Sequence, residues 1–518
     1  MTRRGTLDRR NFVTAAVLGA GGVATAPAAS AQIATAAPGT LAPRRLPGTS
    51  TTDGGVGLRI AAHVAAARYA DIDADSIRDA KLRLIDVIGC AIGGLRGEGG
   101  AAAAAVIGGT GGGPASVLGT GQRAAPRDAA MANALLARTF DFEVMTVVVD
   151  GTQVPSHHAP TTVMSALAMA EAQRADGKTF LTAMLVGDDL AARTLAASGI
   201  DFNDGWDGVP LHATMASAAI AARLLKLDAA ATRHALGMAV DQIGGTVQSI
   251  WDGASAWKVQ QGNSARNGIL AAEMASAGWS GMADPLLSPS GLYAQFTPGC
   301  ARPELLTKNL GRDWHGEVYF KPWPSCAANH PAIECALALR AKNRIDPAVI
   351  DAIRVRVAPH VLKLFIAKPL QEGPSPHSQA NFNIRFACAT ALLRGDLTLE
   401  DYEATRRLDP ALASLIDRIT LEPLPAGGKG VIVEVRTVDG RTITEALPGK
   451  PRGYPDVAGS TRAQIEAKFH KQVAYAGTVS ATAATAILQR IDGIDREPDM
   501  AAFARLLADT LRFPETKA

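Results

Sequence analysis

Between residues 56 and about 295, apolar and small residues recur at helical spacing, and the pattern predicts a succession of α-helices. Ser76 is placed to cap a helix over 77–88, with Asp79 three residues on in a capping-box-like position. Leu82, Ile85, Ile88 and Gly89 then share one helical face. Ala-rich helical segments are predicted at 129–137, 162–172, 180–197, 214–225 and 230–241. Small side chains let helices approach closely, which implies a tightly packed bundle. The period changes near Pro298. β-Branched residues alternate over 352–357 and 430–436, as in half-buried strands. Val438-Asp439-Gly440-Arg441 is a hairpin signal leading into a further strand at 442–444. With helical text at 332–342 and 384–393, the span 300–450 reads as a smaller α+β domain. From 460 to 511 the pattern is helical again, so the C-terminal part, 456–515, is expected to return to the first helical part, 55–295. The expected class is mainly α.

Length and composition agree with this division. At 518 residues the chain is too long for one simple core. A net charge of +3, with no run of Lys or Arg longer than two, argues against a nucleic-acid partner. The run from Gly108 to Gly113 lacks the Gly-Lys-Ser/Thr ending of a phosphate loop and reads as a connection between helices. Five cysteines, an odd number without Cys-x-x-Cys spacing, fit neither a disulfide framework nor a redox pair.

The N-terminus reads as a targeting segment. Arg9-Arg10-Asn11-Phe12-Val13 resembles a twin-arginine signal, an apolar run follows to Val23, and Ala29-Ser30-Ala31 offers a cleavage site. Residues 1–31 are thus expected to be removed, 32–54 to be a linker, and the mature protein to be periplasmic. Twin-arginine export carries folded proteins, which suits unpaired cysteines. No other run approaches the ~18 apolar residues that span a bilayer, so no membrane partner is expected for the mature form.

Candidate chemistry lies at three places. Lys258 follows Trp257 behind an apolar segment, where an ammonium is costly unless an anion meets it. Upstream stand Pro210-Leu211-His212-Ala213-Thr214 and Ser156-His157-His158-Ala159-Pro160. Imidazoles titrate near neutral pH. Two of them with an ammonium point to a pocket for an acidic small molecule. His157, His158, His212 and Asp141 lack metal-ligand spacing, so neither a metal nor another cofactor is expected.

The same residues carry a family resemblance. Trp257-Lys258-x6-Ala265-Arg266-Asn267-Gly268, the His212-x-Thr214 segment, and Lys321-Pro322-Trp323-Pro324-Ser325-Cys326 through His330-Pro331-Ala332-Ile333 resemble the MmgE/PrpD family. Weaker echoes are Asp86-Val87-Ile88-Gly89 through Gly94, the His157-His158 pair, and Pro376-His377-Ser378-Gln379-Ala380-Asn381-Phe382. That family contains 2-methylcitrate dehydratases and cis-aconitate decarboxylases. The resemblance implies a large helical domain built from both chain ends, an inserted α+β lid, and a homodimer. It places active-site histidines at His157 and His212, and at Lys258 a lysine that meets a substrate carboxylate. It turns the Lys321–His330 segment toward the cleft, so Lys321 and His330 are expected to contact substrate. Cys326 has no activating base in view and reads as a buried structural thiol.

Where family members often carry Asp-Phe-Asp-Asp-Thr, this chain has Asp141-Phe142-Glu143-Val144-Met145-Thr146. Asp141 matches the first acid, orienting an imidazole or lysine, and Thr146 reaches the threonine position with a one-residue shift. The change at Glu143 and Val144 predicts a pocket that has lost one acid, with poor activity on 2-methylcitrate and cis-aconitate. The expected activity is that of a cofactor-independent lyase, a dehydratase or decarboxylase, on a small di- or tricarboxylic acid. An epimerase or isomerase of an acidic substrate is the first alternative, because it needs no acid for a leaving hydroxyl. An exported solute-binding protein is the second, though its usual two α/β lobes conflict with the long helical region.

Overall fold

In the computed structural model, which describes residues 55–108, 111–200, 205–371 and 373–514, the helical text folds as helices that mostly begin earlier than their apolar period. α1 (Ala74–Gly94) is capped by Asp73 instead of Ser76: the Asp73 carboxylate accepts the Ser76 N–H at 2.8 Å and the Ser76 hydroxyl at 2.7 Å. A carboxylate there also faces the positive end of the helix. α2 (Pro126–Ala137) and α3 (Ala159–Gln173) both start with a proline in the first turn, where its missing N–H costs nothing. α4 (Gly177–Ser198), α5 (Gly208–Leu224) and α6 (Val259–Ser276) complete the central bundle. Asp207 caps α5 by accepting the Val209 N–H at 3.0 Å. His212 therefore lies inside that helix, not at its start. α5 packs on α4 and α6 through buried Ala213, Ala216, Ala218 and Ala221, as small side chains permit.

Two sheets have no counterpart in the expectation from sequence, a two-stranded one of Ala115–Val117 with Gln122–Ala124 and a three-stranded one. β1 (Met145–Val149) and β2 (Thr152–Val154) form a hairpin whose turn residues, Asp150 and Gly151, have φ of 48° and 74°. This is the mirror-image turn that Asp-Gly favours, and the dipeptide between β-branched residues was its signal. β3 (Glu317–Tyr319) pairs with β1 in antiparallel register, Val147 opposite Glu317 and Met145 opposite Tyr319. Distant chain is thus stitched beside the loop that follows α2.

The inserted α+β region matches the expected pattern. α7 (His330–Asn343) and α8 (Ile384–Arg394) cover a sheet made of β4 (Ile350–Val357), β5 (Ile419–Pro423), β6 (Val431–Thr437) and β7 (Thr442–Leu447), in the order β5-β4-β6-β7. β4 and β5 are parallel and the other pairs antiparallel. Ile353, Val355 and Val357 alternate inward with Val431, Val433 and Val435, so one face meets the helices. α9 (Arg462–Ala476) then returns to pack on α1, and helices Ala481–Asp492 and Met500–Thr510 follow it onto the bundle. The fold is mainly α with an inserted α+β region. Trp257, Phe365 and Phe382 form a smaller apolar cluster with Val247, Ile250 and Ile366, apart from the two main cores.

The run from Gly108 to Gly113 follows a helix (Gly100–Gly108) and precedes a strand (Ala115–Val117), the reverse of a phosphate loop's order. No helix among the described residues is long and apolar enough to cross a membrane. The twin-arginine segment and the linker lie outside the described residues.

Candidate active site

The chain leaving α2 carries three charges into the interior within a few residues. Arg138 donates through Nη1 to Asp141 Oδ1 and, at 2.6 Å, to Glu143 Oε1. All three side chains are buried, and the guanidinium lies 4.6 Å from the centre of the Trp257 ring. Lys321, fully buried, pairs with Asp141 Oδ2 at 2.9 Å and donates to the Asp141 carbonyl at 2.6 Å. Burial alone would raise the Asp141 carboxyl, but Lys321, Arg138 and His157 reverse that and hold it well below its usual range. Glu143 is likewise lowered: burial opposes it, while Arg138 and the His157 hydrogen bond prevail. Asp141 and Thr146 bracket this loop with φ of 50° and 69°. For a β-branched threonine that conformation costs about 1–3 kcal/mol and persists only where its surroundings over-determine it.

His157 closes the cluster. Its Nδ1 stands 2.8 Å from Glu143 Oε1 and 3.7 Å from Asp141 Oδ1. With an ionised Glu143 as acceptor, the hydrogen-bond network assigns a proton to Nδ1, so Nε2 is the nitrogen free to exchange one. The histidine's main chain is anchored from two sides. Gln261 donates to its carbonyl, and Glu317 of β3 accepts the Ser156 hydroxyl at 2.6 Å and the N–H groups of His158 and Ala159 at 2.8 and 2.9 Å. Glu317 thereby caps α3, the favourable place for a carboxylate, although burial, only partly offset by Ser156 and His157, pushes its carboxyl up to about 7.

Lys258 begins a second polar group near Trp257, its ammonium 5.7 Å from the centre of that ring. It ends a 3-10 turn (Ser255–Lys258) that runs directly into α6, so the residue stands at that helix's N-terminus. It is 5% exposed and donates to the Glu98 carbonyl at 3.2 Å, with His377 Nδ1 3.5 Å away. No carboxylate lies within ion-pair distance of it among the described residues. Burial pushes the ammonium down to about 8, opposed by the charge of Glu98 and aided by that of Arg138. Around it, Trp257 Nε1 donates to Ser378 Oγ at 3.0 Å, and Ser375 donates to Glu98 Oε2 at 2.7 Å. His377 is buried between Phe140 and Tyr402, its Nε2 without a partner. The sequence quoted His377 within a motif but gave it no role, and Glu98 and Glu317 carried no signal at all.

Other expected site residues stand differently. Lys321 is already paired, both partners it meets belonging to Asp141, and it also lines the hollow beside Phe142 and Lys468. His330 is fully buried, with Nδ1 2.6 Å from the Tyr319 hydroxyl and Nε2 3.1 Å from the Ser325 carbonyl; it is a packed histidine. Thr146 is buried beside Tyr454 at the start of the hairpin strand. His212 is buried with both ring nitrogens unpartnered, and burial, then the charge of His158, pushes it down to about 3. His158 lies 3.7 Å from Asp188 and 3.6 Å from Glu317, pushed down to about 4 by burial. Cys326 is pushed up to about 11, chiefly by burial, and is not an activated thiol.

A cavity of about 150 Å³ opens at His157, walled by Val154, Leu195, Trp206 and Asp207. Asp207 was not singled out from the sequence; burial raises its carboxyl against the pull of the Val209 N–H and Arg138. A roomier hollow of about 400 Å³, lined by Phe142, Arg452 and Lys468 among others, backs onto the acid loop but reaches neither His157 nor Lys258.

Asp141, Glu143 and His157 offer ligand atoms within 4.8 Å of one another, a spacing a metal could use. Arg138 already bonds both carboxylates and Lys321 pairs with Asp141, so a divalent ion would have to displace cations from a neutralised set. The donor set does not fit a metal. Arg138→Leu is expected to cost about 3–5 kcal/mol, because it strips countercharge from two buried carboxylates. Urea unfolding measures this, and a loss below about 1 kcal/mol, as for an exposed pair, would show that the cluster is not the charge-balanced unit described.

Comparison with known proteins can now be set beside this geometry. The MmgE/PrpD N-terminal domain matches residues 58–303, and the MmgE/PrpD C-terminal domain matches residues 323–492. The chain belongs to the MmgE/PrpD family. Among similar MmgE/PrpD-type proteins, a cis-aconitate decarboxylase-like protein of Aspergillus oryzae is 27% identical over 441 residues, 78% of this chain and 88% of its own. The cis-aconitate decarboxylase of Aspergillus terreus is 25% identical over 430 residues, 78% of this chain and 85% of its own. The human cis-aconitate decarboxylase is 26% identical over 321 residues, 58% of this chain and 63% of its own.

Proposed function

We propose that this protein is a lyase that acts on a small tricarboxylic acid by proton transfer next to a carboxylate, with loss of carbon dioxide or water. The observation that carries the proposal is Lys258: a buried residue at the start of α6 whose ammonium has a carbonyl and an imidazole as hydrogen-bond partners. No carboxylate among the described residues pairs with it directly, Glu98 acting only from a distance, and a substrate carboxylate would supply that pair. The family and the names of the relatives support the same class of reaction.

In this mechanism Lys258 holds one carboxylate and stabilises charge that grows on it as the neighbouring carbon–hydrogen or carbon–carbon bond breaks. His157 Nε2 takes or returns the proton, with Glu143 fixing the tautomer. Arg138 and Lys321 keep the acids ionised. Asp207, whose carboxyl is raised by burial, faces the same cavity and can serve a leaving group. His212, which no contact joins to His157 or Lys258, assists from α5 as a neutral imidazole.

The expected preference against cis-aconitate and 2-methylcitrate rested on a lost acid at Glu143 and Val144. Glu143 keeps a carboxylate on His157, while Val144 packs into the helical core away from the cavity. Both compounds belong in the test. Purified protein incubated with a panel of di- and tricarboxylates in heavy water, followed by NMR, should yield either a decarboxylated product that carries deuterium next to a carboxylate or, on loss of water, an unsaturated product. Exchange without net conversion would make the enzyme an isomerase, and no change across the panel would end the proposal.

Export is part of the same proposal, as is a homodimer. Replacing Arg9 and Arg10 by lysine should leave uncleaved precursor in the cytoplasm, as fractionation would show. Mature protein in the periplasm at the usual level would reject the twin-arginine route.

A further inference from the structure

Asp86, Gly89 and Gly93 share one face of α1, and α9 lies against it. A Cβ on Gly89 would stand 2.9 Å from Gln472 Nε2 and 3.4 Å from the Phe469 Cα; one on Gly93 would stand 2.9 Å from Gln472 Oε1. The glycines ease the approach, since an added Cβ would push on the movable amide of Gln472. That approach delivers Lys468 of α9 to Asp86 as an ion pair at 2.6 Å, with the two side chains 8% and 0% exposed.

Each member of the pair also grips the acid loop. Lys468 donates to the Phe142 carbonyl, and its ammonium stands 4.1 Å from the centre of the Phe142 ring. Asp86 Oδ2 accepts the Val144 N–H at 2.6 Å. The residue between those two anchors is Glu143, which meets His157. A buried ion pair is weak evidence of stabilisation, because apolar side chains of similar volume often serve as well. What apolar side chains cannot supply is one acceptor and one donor aimed at main-chain groups on either side of a chosen residue.

We propose that Asp86 and Lys468 are positioning residues for Glu143, fixing the main chain on both sides of it so that its carboxylate meets His157 Nδ1. α9 thereby becomes part of the proton-transfer apparatus, although neither residue lines the cavity at His157. This inference rests on the role proposed above for His157.

The test uses the full chain with Lys468→Met, Lys468→Arg, Asp86→Asn and Glu143→Gln. Displacing a proton-transfer group by a fraction of an ångström lowers turnover more than binding, so Lys468→Met should reduce kcat by about tenfold or more with KM within about twofold. Lys468→Arg should recover most of the loss. The ¹⁵N resonances of the His157 ring, assigned by difference with His157→Asn, should move in Lys468→Met in the direction they move in Glu143→Gln.

Wild-type kcat in a Lys468→Met protein that merely melts earlier would overturn the proposal, as would unmoved ring resonances. If Lys468→Met does not fold, Asp86→Asn carries the test, with a smaller change in the same direction expected and no change overturning it. If the wild type converts no tricarboxylate, the lyase reading fails by itself, and the ring resonances alone decide the positioning claim.

Discussion

His157→Asn is expected to lower turnover by about a hundredfold or more while leaving the fold and most of the substrate affinity intact. The reason is the division of labour around the ring. Nδ1 is committed to Glu143 at 2.8 Å, so Nε2 is the only nitrogen left to move a proton. Asparagine can still donate to Glu143, and the buried carboxylates keep their Arg138 and Lys321 partners, so the variant isolates chemistry from stability. Glu143→Gln should fall in the same direction by a smaller factor, because an amide no longer selects the tautomer. Steady-state kinetics with matched melting curves checks both. Near-normal kcat in His157→Asn would move the proton-transfer role to another residue, with Asp207 the first to examine because it faces the same cavity.

How far the sequence could reach is clearest at these positions. The bundle and the α+β region were legible because each buries one face, so apolar residues recur at the period of helix or strand. Helix starts were less so: Asp73 and Asp207 cap from outside the apolar period that marked their helices. The β1–β2 hairpin was announced by Asp150-Gly151, yet its strands are too short to alternate convincingly. Lys258 could be singled out because a lysine behind an apolar segment needs an explanation. Lys321 needed one as well, and nothing in linear order distinguishes an ammonium that awaits a substrate from one already paired with Asp141. Glu317, His377 and Lys468 were beyond reach for the same reason. Their partners, at His158, Lys258 and Asp86, lie far away along the chain and meet them only once the fold has closed.

Lys258→Met should lower kcat/KM by about a hundredfold or more, since loss of a buried charge-assisted contact to a carboxylate is worth about 3 kcal/mol or more. The pH dependence separates this loss from a structural one. Burial pushes the ammonium down to about 8, so the wild type should lose substrate affinity as pH rises through that value, and Lys258→Met should show a flat KM over the same interval. Stability runs the other way. A lysine whose folded pKa lies below its unfolded value destabilises the fold while charged, and that penalty is relieved as pH rises from about 8 toward the ordinary range near 10.4. Methionine, similar in length and uncharged, removes the penalty altogether, so Lys258→Met should be at least as stable as the wild type at neutral pH. A variant that binds poorly but unfolds no earlier is what a substrate-facing ammonium predicts. One that unfolds earlier and retains a KM limb near pH 8 would place the anion-binding group elsewhere.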